Sequence, residues 1–96
     1  MPIQLIEHLF IFGFMKSLSP SHQKYMIDLG TKLRDIRRSK SYSQAQLAID
    51  SEMEVSQISR IERGVLNTYV LTLLKIAVVL DVELSDLLPT HLSEDS

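Results

Sequence analysis

Apolar residues recur at spacings of three and four from residue 26 onward, which is the period of an amphipathic helix. The first stripe predicts a helix over residues 22–39, after a polar segment at 17–21 that contains Pro20. The members of this stripe are Met26, Leu29, Leu33 and Ile36. Basic residues fall mainly on the other sides of the same helix, which favours one buried face and one solvated face.

Two short helices are predicted next. Ser43, with a glutamine three residues later, matches a capping box and predicts a helix over 44–51. A third helix should begin near Glu54 or Val55 and end at Gly64, because glycine readily adopts the left-handed conformation that terminates helices. The residues expected to face inward on these two helices are Leu47, Ala48, Ile58 and Ile61.

A fourth helix is predicted over 69–80, with Asn67 or Thr68 as its cap, and a short fifth helix over 84–88, before Pro89. The core positions expected on these helices are Val70, Leu73, Ala77, Leu80, Leu84 and Leu87. No segment shows the alternation of a strand, so the predicted fold class is all-α with five helices.

The fourth helix carries a second apolar stripe beside its core stripe. The members of this second stripe are Leu71, Leu74 and Val78. A short helix on a small domain cannot bury two faces in one core, so another surface should cover this one. The candidates are the apolar N-terminal segment from Leu5 to Met15 and the same helix of a second subunit.

The 96 residues suffice for one domain, which we place at 22–88 between an N-terminal extension, 1–21, and a polar tail, 89–96. The apolar run in the extension is shorter than the ~20 residues of a membrane-spanning helix and has no features of a secretory signal. No membrane association is therefore expected. Met15 offers an alternative start, which leaves open whether residues 1–14 belong to the native protein.

The formal net charge of −2 argues at first against a nucleic-acid partner. The charge is uneven, however. Residues 29–67 contain seven Lys and Arg against five Asp and Glu, whereas residues 68–96 contain one against five. Basic charge is thus concentrated in the region of the first three helices, and the average conceals it.

The sequence gives no indication of a catalytic site or a metal-binding site. The chain has no cysteine, which excludes disulfides and cysteine-ligated zinc and fits a cytoplasmic location. Its histidines, His8, His22 and His91, lie in unrelated segments. There is no glycine-rich phosphate loop or nucleophile motif, so we expect no metal, no cofactor and no enzyme.

Two helices of about two turns, separated by a short turn and flanked by other helices, are the arrangement of a helix-turn-helix unit. The segments SQAQLAIDSEMEVSQISRIERG and TLLKIAVVLDVELSDLL resemble the helix-turn-helix domain of the lambda-repressor and Cro type, the Xre family. The resemblance covers about residues 28–88. It implies a compact five-helix lambda-repressor-like domain that binds double-stranded DNA, with the third helix in the major groove.

The resemblance also assigns roles to individual residues. The implied base contacts are Val55, Ser56, Gln57 and Arg60, and the implied phosphate contacts are Gln44 and Arg37. The basic loop that the family commonly has after Gly64 is absent here, so phosphate contacts in that loop should come from Asn67, Thr68, Tyr69 or backbone N–H groups. Arg37 and Glu62 match a pair that bridges the first and third helices in this family. For Arg60 a phosphate contact or a solvated helix charge remains the alternative to base readout.

Two acidic residues depart from the family pattern. Glu52 occupies a turn position that is usually glycine, and Glu54 replaces the usual small polar cap of the third helix. Carboxylates near DNA phosphates oppose binding, so we expect modest and salt-sensitive affinity for each monomer.

The leading prediction is a sequence-specific transcriptional regulator, a repressor that acts as a homodimer on paired half-sites. The alternative is a protein-interaction module, such as the antitoxin of a toxin–antitoxin pair, which the second apolar stripe and the acidic C-terminal part suggest. A third hypothesis, a helix-turn-helix fold that no longer binds DNA, is suggested by Glu52 and Glu54.

Overall fold

The computed structural model describes residues 19–66 and 68–90, and this part of the chain is five α-helices joined by short turns. The helices are α1 (Pro20–Ser39), α2 (Gln44–Asp50), α3 (Val55–Glu62), α4 (Val70–Leu80) and α5 (Leu84–Leu87). No strand occurs within these ranges, and the predicted all-α, five-helix fold is confirmed. Most of the predicted extension, the tail from residue 91 and Asn67 lie outside the described residues.

Helix α1 begins two residues earlier than the sequence predicted. Ser19 occupies the N-cap, and its Oγ accepts a hydrogen bond of 3.2 Å from the backbone N–H of His22. Pro20 occupies the first helical position, where its missing N–H and fixed φ are compatible with a helix. The polar segment that was expected to separate the extension from the helix therefore contains the start of the helix.

The predicted capping box of α2 is only half formed. Ser43 Oγ accepts from the backbone N–H of Gln46 at 3.0 Å, as expected. The side chain of Gln46 does not return to Ser43 but donates to Asp50 Oδ1 at 2.8 Å, one turn further along the helix. At α4, Tyr69 is the N-cap and forms no side-chain capping bond, so the predicted cap by Asn67 or Thr68 is wrong.

The core is shared by all five helices: α3 packs against α1 and α2, α5 packs against α1 and α4, and α2 also contacts α4. Its buried apolar residues are Leu29, Leu33, Leu47, Ala48, Ile58, Ile61, Leu73, Ile76, Ala77, Leu80 and Leu87. Ile76 is fully buried although it was not assigned to the core stripe, whereas Val70 is 65% exposed although it was. Val70 lies toward an open groove of about 300 Å³ that Tyr25 and Leu66 also line, so the first turn of α4 extends beyond the core.

Contacts from α1 fix the positions of the other helices. Gly30 lies so close to the backbone of Ile61 and Glu62 on α3 that a Cβ there would overlap their carbonyl oxygens. At the other side of α1, Lys32 Nζ donates to the carbonyl of Leu88 at 3.1 Å, which ties α1 to the end of α5. The backbones of α1 and α3 are therefore in close contact at Gly30. Within the described ranges, no helix is long and apolar enough to cross a membrane.

Candidate nucleic-acid interface

A buried ion pair links α1 to the last turn of α3. Arg37 Nε donates to Glu62 Oε2 at 2.6 Å and Arg37 Nη2 donates to Glu62 Oε1 at 3.0 Å, which is the bidentate geometry that Arg and carboxylate favour. The two residues are only 7% and 6% exposed. The pair that the family resemblance implied is therefore present, and it sits in the interior, not on the surface.

Two further groups complete this arrangement, which we call the Glu62 network: Arg37, Gln44, Glu62 and the carbonyl of Tyr42. Arg37 Nη1 donates to that carbonyl at 2.8 Å, and Gln44 Nε2 donates to Glu62 Oε1 at 3.0 Å. Buried charges require such partners, because an unpaired one loses its hydration without compensation. The network thus joins α1, the first residue of α2 and the last residue of α3.

The network changes the roles expected for two of its members. Arg37 is almost fully buried and uses three nitrogens within the protein, so little of it remains for the predicted phosphate contact. Gln44 directs its amide group to Glu62, while its backbone N–H lies in the first turn of α2. Of these two residues, only Gln44 retains a group in a position suited to an anion outside the protein.

Helix α3 has one buried and one outward side. Ile58, Ile61 and Glu62 face the interior, and this alignment leaves the residues between them to point away. Val55 is exposed, and Ser56 and Arg60 are half-buried and one helical turn apart. Ser56 and Arg60 therefore share the outward side of α3, with a hydroxyl and a guanidinium that can bond base edges, whereas Val55 is exposed as the first residue of the helix.

The fourth predicted base contact has a structural role. Gln57 is half-buried, and its Oε1 accepts a hydrogen bond of 3.0 Å from the backbone N–H of Glu54, the N-cap residue of α3. Glutamine at this position of a capping box stabilises the helix start. Its amide oxygen is engaged within the protein, and its amide nitrogen is the group left for another partner.

The turn between α2 and α3 carries an unusual backbone conformation. Glu52 has φ 57°, in the left-handed region that costs an L-residue roughly 1–2 kcal/mol. The glycine found at this position in related domains adopts that conformation without a Cβ penalty. Glu52 thus places both a strained backbone and a negative charge beside the start of α3.

The segment after α3 ends the helix as predicted and leads into an uncapped helix. Gly64 has φ 74°, and a Cβ there would lie 2.7 Å from the Cα of Ile27. Thr68 is half-buried just before α4, whose first turn has no side-chain cap. Free backbone N–H groups at a helix start attract anions, so this segment is suited to a phosphate. Asn67, the other predicted contact here, lies outside the described residues.

The outer face of α4, defined by Leu71, Leu74 and Val78, is exposed in the structure at 73%, 43% and 71%. It borders a groove of about 400 Å³, the α4 groove, whose other wall is formed by the α2–α3 turn. The lining residues are Asp50, Ser51, Glu52, Leu71, Leu74, Lys75, Val78 and Val79. Within the described residues, nothing covers this face, and no three acidic or histidine side chains cluster as a metal site would need.

Some contributors to the interface were not predicted from the sequence. The amide of Gln44 bonds Glu62 from 18 residues away along the chain, and the carbonyl of Tyr42 accepts from Arg37 across the turn after α1. No spacing rule connects such positions. Gly30 did carry a signal, because an isolated glycine inside a predicted helix often marks a close approach of two backbones.

Comparison with known proteins identifies the family. The profile of the HTH_3 family, described as helix-turn-helix, matches residues 33–87, more than half of the chain. The chain belongs to the HTH_3 helix-turn-helix family. This membership confirms the resemblance to lambda-repressor-like domains of the Xre type, and the HTH_3 match covers the whole Glu62 network and α2 to α5.

Relatives of this HTH_3 chain are transcriptional regulators. SlrR of Bacillus subtilis, an HTH-type transcriptional regulator, is 43% identical over 60 residues, or 62% of this chain and 40% of SlrR. The chain thus matches less than half of that relative's length. The restriction-modification controller C.AhdI from Aeromonas hydrophila has a solved structure that is 35% identical with a TM-score of 0.67, covering 69% of this chain and 96% of C.AhdI.

A third relative was solved in complex with DNA. SinR, described as the master regulator for biofilm formation, is 33% identical with a TM-score of 0.59, over 62% of this chain and 95% of the SinR chain. These HTH_3 relatives are regulators and not enzymes, in agreement with the expectation from the sequence.

Proposed function

We propose that this HTH_3 chain is a sequence-specific double-stranded DNA-binding regulator that represses transcription by occupying an operator as a homodimer on paired half-sites. The single observation that carries the proposal is the orientation of α3. Its inner side is fixed by the core and the Glu62 network, its outer side presents Ser56 and Arg60, and Val55 is exposed at its first residue. A helix with a rigid inner side and polar outer side suits the major groove.

The contacts divide into base readout and positioning. In this proposal Arg60 bonds guanine, Ser56 bonds an adjacent base edge and Val55 contacts a thymine methyl. Gln57 contributes through the amide nitrogen that its capping bond leaves available. Phosphates are held by the backbone of Gln44, by Thr68 and by Asn67, while Arg37 serves as a positioning residue within the Glu62 network.

The proposal includes the wider organisation of the chain. The binding domain predicted at 22–88 begins two residues earlier, at Pro20 of α1, with the residues before it as an extension and 89–96 as a tail. A cytoplasmic location belongs to the same proposal, because the DNA that such a regulator occupies is found there. SinR, a relative of known structure, was solved with DNA, which supports the DNA-binding part of the proposal.

The test compares binding of the chain to its own upstream DNA and to a random duplex of equal length. Arg60→Ala should weaken binding to the specific duplex by ~1–3 kcal/mol and leave random binding little changed. Arg38→Ala, which removes an exposed arginine from α1, is the matched control and should leave the ratio of specific to random affinity unchanged. If Arg60→Ala kept the ratio of the unmodified protein, base readout by α3 would be refuted.

A second candidate function is a protein-interaction module, such as the antitoxin half of a toxin–antitoxin pair. The exposed outer face of α4 favours it, because DNA phosphates would gain nothing from an apolar surface. A small toxin gene beside this one, together with a toxin that binds the purified chain in a defined ratio, would support this candidate. A chain that binds DNA specifically and associates only with itself would argue for the regulator alone.

A further inference from the structure

The outer face of α4 is a ridge of apolar side chains that the core does not use. Leu73, Ile76, Ala77 and Leu80 are the residues of α4 that the core buries. The ridge lies on the remaining side, with Leu71 and Val78 more than two-thirds exposed. Contiguous apolar surface on a small protein commonly marks an interaction site. The α4 groove beside the ridge is a concave surface that could receive a ridge of this kind.

The rim of the α4 groove carries charges of both signs on opposite walls. Lys75 stands on the α4 wall, and Asp50 and Glu52 stand on the wall formed by the end of α2 and the following turn. All three residues are exposed. Among the residues that the structure describes, the ion pairs are Lys24–Asp28 and Arg37–Glu62, so Lys75 is not neutralised by either carboxylate of its own groove.

We propose that the α4 groove binds the α4 ridge of a second copy of this chain, with Lys75 of each copy facing the partner's Asp50 and the partner's Glu52. In a twofold interface the same patch meets itself, so a patch of one charge sign repels its copy. A groove with a cation on its α4 wall and carboxylates on the facing wall can meet its own copy with opposite charges, while the ridge of each copy enters the groove of the other. This inference rests on the homodimer of the proposed function and names its surface.

The charges favour a second copy over the N-terminal segment as the occupant. Residues 5–15 contain one carboxylate, Glu7, and no lysine or arginine. That segment could offer a partner to Lys75 but none to Asp50 or Glu52. A second copy supplies a counter-charge for all three residues at once.

The proposed interface is compatible with DNA binding. The proposed base contacts Val55, Ser56 and Arg60 do not line the α4 groove. Two copies joined through α4 therefore keep both recognition helices available, as paired half-sites require.

The test exchanges the charges between copies. One variant carries Lys75→Glu, and a second carries Asp50→Lys together with Glu52→Lys. Each variant alone places like charges across the interface and should dimerise at least about tenfold more weakly than the unmodified chain, as measured by sedimentation at micromolar concentration. An equimolar mixture should form heterodimers with near-unmodified affinity, because every cross-interface pair in the mixed dimer is again of opposite sign.

Three controls accompany this exchange. Lys24→Glu makes the same change of charge outside the groove and should leave dimerisation unaltered. Leu74→Ser should weaken association without changing the helical circular dichroism, which reports on folding. A chain that begins at Met15 should dimerise as the full chain does, because the N-terminal segment is not the occupant.

Several results would overturn the proposal. These are a mixture of the two charge variants that associates no better than either alone, a full chain that stays monomeric at micromolar concentration, and loss of the dimer on truncation to Met15. DNA binding distinguishes this failure from failure of the proposed function. Specific binding to paired half-sites by a dimer that the charge variants leave intact would refute only the interface. A charge-dependent dimer that shows no preference between duplexes would refute only the DNA-binding function.

Discussion

Helices α3 and α4 each bury one side in the same core, but they turn opposite kinds of surface outward. The outward side of α3 carries Ser56 and Arg60, which water or DNA can hydrogen-bond. The outward side of α4 carries Leu71, Leu74 and Val78, which neither water nor phosphate stabilises. The difference fits the two tasks proposed for this small domain, recognition of DNA at α3 and association with a second copy at α4.

The two helices are also fixed by different means. The last residue of α3, Glu62, is bonded by Arg37 and Gln44, so polar contacts orient the recognition helix. Helix α4 is held by apolar packing of residues such as Ile76 and Leu80. Substitutions that remove each kind of support should therefore separate their contributions.

The largest expected effect follows from removing the carboxylate of the Glu62 network. Glu62→Ala leaves the guanidinium of Arg37 buried without its counter-charge and should lower the free energy of unfolding by ~3–5 kcal/mol, measured by urea denaturation. Arg37→Met combined with Glu62→Leu removes both charges and should recover most of the loss. A loss under ~1 kcal/mol for Glu62→Ala would mean that polar contacts do not hold α3.

Truncation of the buried side chain of Ile76 tests how much apolar packing stabilises α4. Ile76→Ala should lower the free energy of unfolding by ~2–5 kcal/mol, because the side chain is fully buried. Val70→Ala, on the same helix, should cost under ~0.5 kcal/mol because Val70 is exposed. Equal losses in thermal denaturation for the two variants would contradict the burial of Ile76 and the exposure of Val70.

The close approach of α1 to α3 predicts a smaller loss at Gly30. Gly30→Ala places a methyl group against the carbonyls of Ile61 and Glu62, which cannot move aside as a flexible side chain would. We expect destabilisation of ~1–3 kcal/mol despite the better helix propensity of alanine. The matched control is Asp35→Ala, at an exposed position of α1, which should stay within ~0.5 kcal/mol. A net gain at Gly30 would show that the two backbones have room to separate.

The smallest predicted effect is a gain in stability at the turn before α3. Glu52→Gly removes a left-handed non-glycine residue and should raise the free energy of unfolding by about 1 kcal/mol. Glu52→Gln keeps the backbone cost and removes only the charge, so it should leave stability nearly unchanged. Equal effects of the two substitutions on the denaturation midpoint would assign the gain to charge and not to conformation.

Spacing and capping rules predict much of this fold. The predictions are wrong at positions where those rules carry no information. Helix α1 is amphipathic, so its period selected Leu29 and Leu33 correctly. Helix α4 is apolar on nearly every side, so the spacing of its apolar residues does not indicate that Ile76 is buried and Val70 exposed. Which of the two side chains is buried depends on tertiary contacts.

Some features of the candidate site could likewise be predicted from the sequence, and others could not. The bridge between Arg37 and Glu62 and the outward position of Arg60 agree with the family pattern. The bond from Gln44 to Glu62 was not predictable, because it depends on how α2 meets α3 in three dimensions. The capping role of Gln57 was overlooked in favour of base readout, although its spacing from Glu54 fits a capping box.

The central claim is that the outward side of α3 reads a DNA sequence. Selection of bound sites from random duplexes by the full chain, at ~50 mM salt, tests it most directly. The account predicts an enriched sequence with two half-sites about one helical turn apart, and loss of preference at one base pair of each half-site for Arg60→Ala. A folded chain that enriches no sequence would contradict the account.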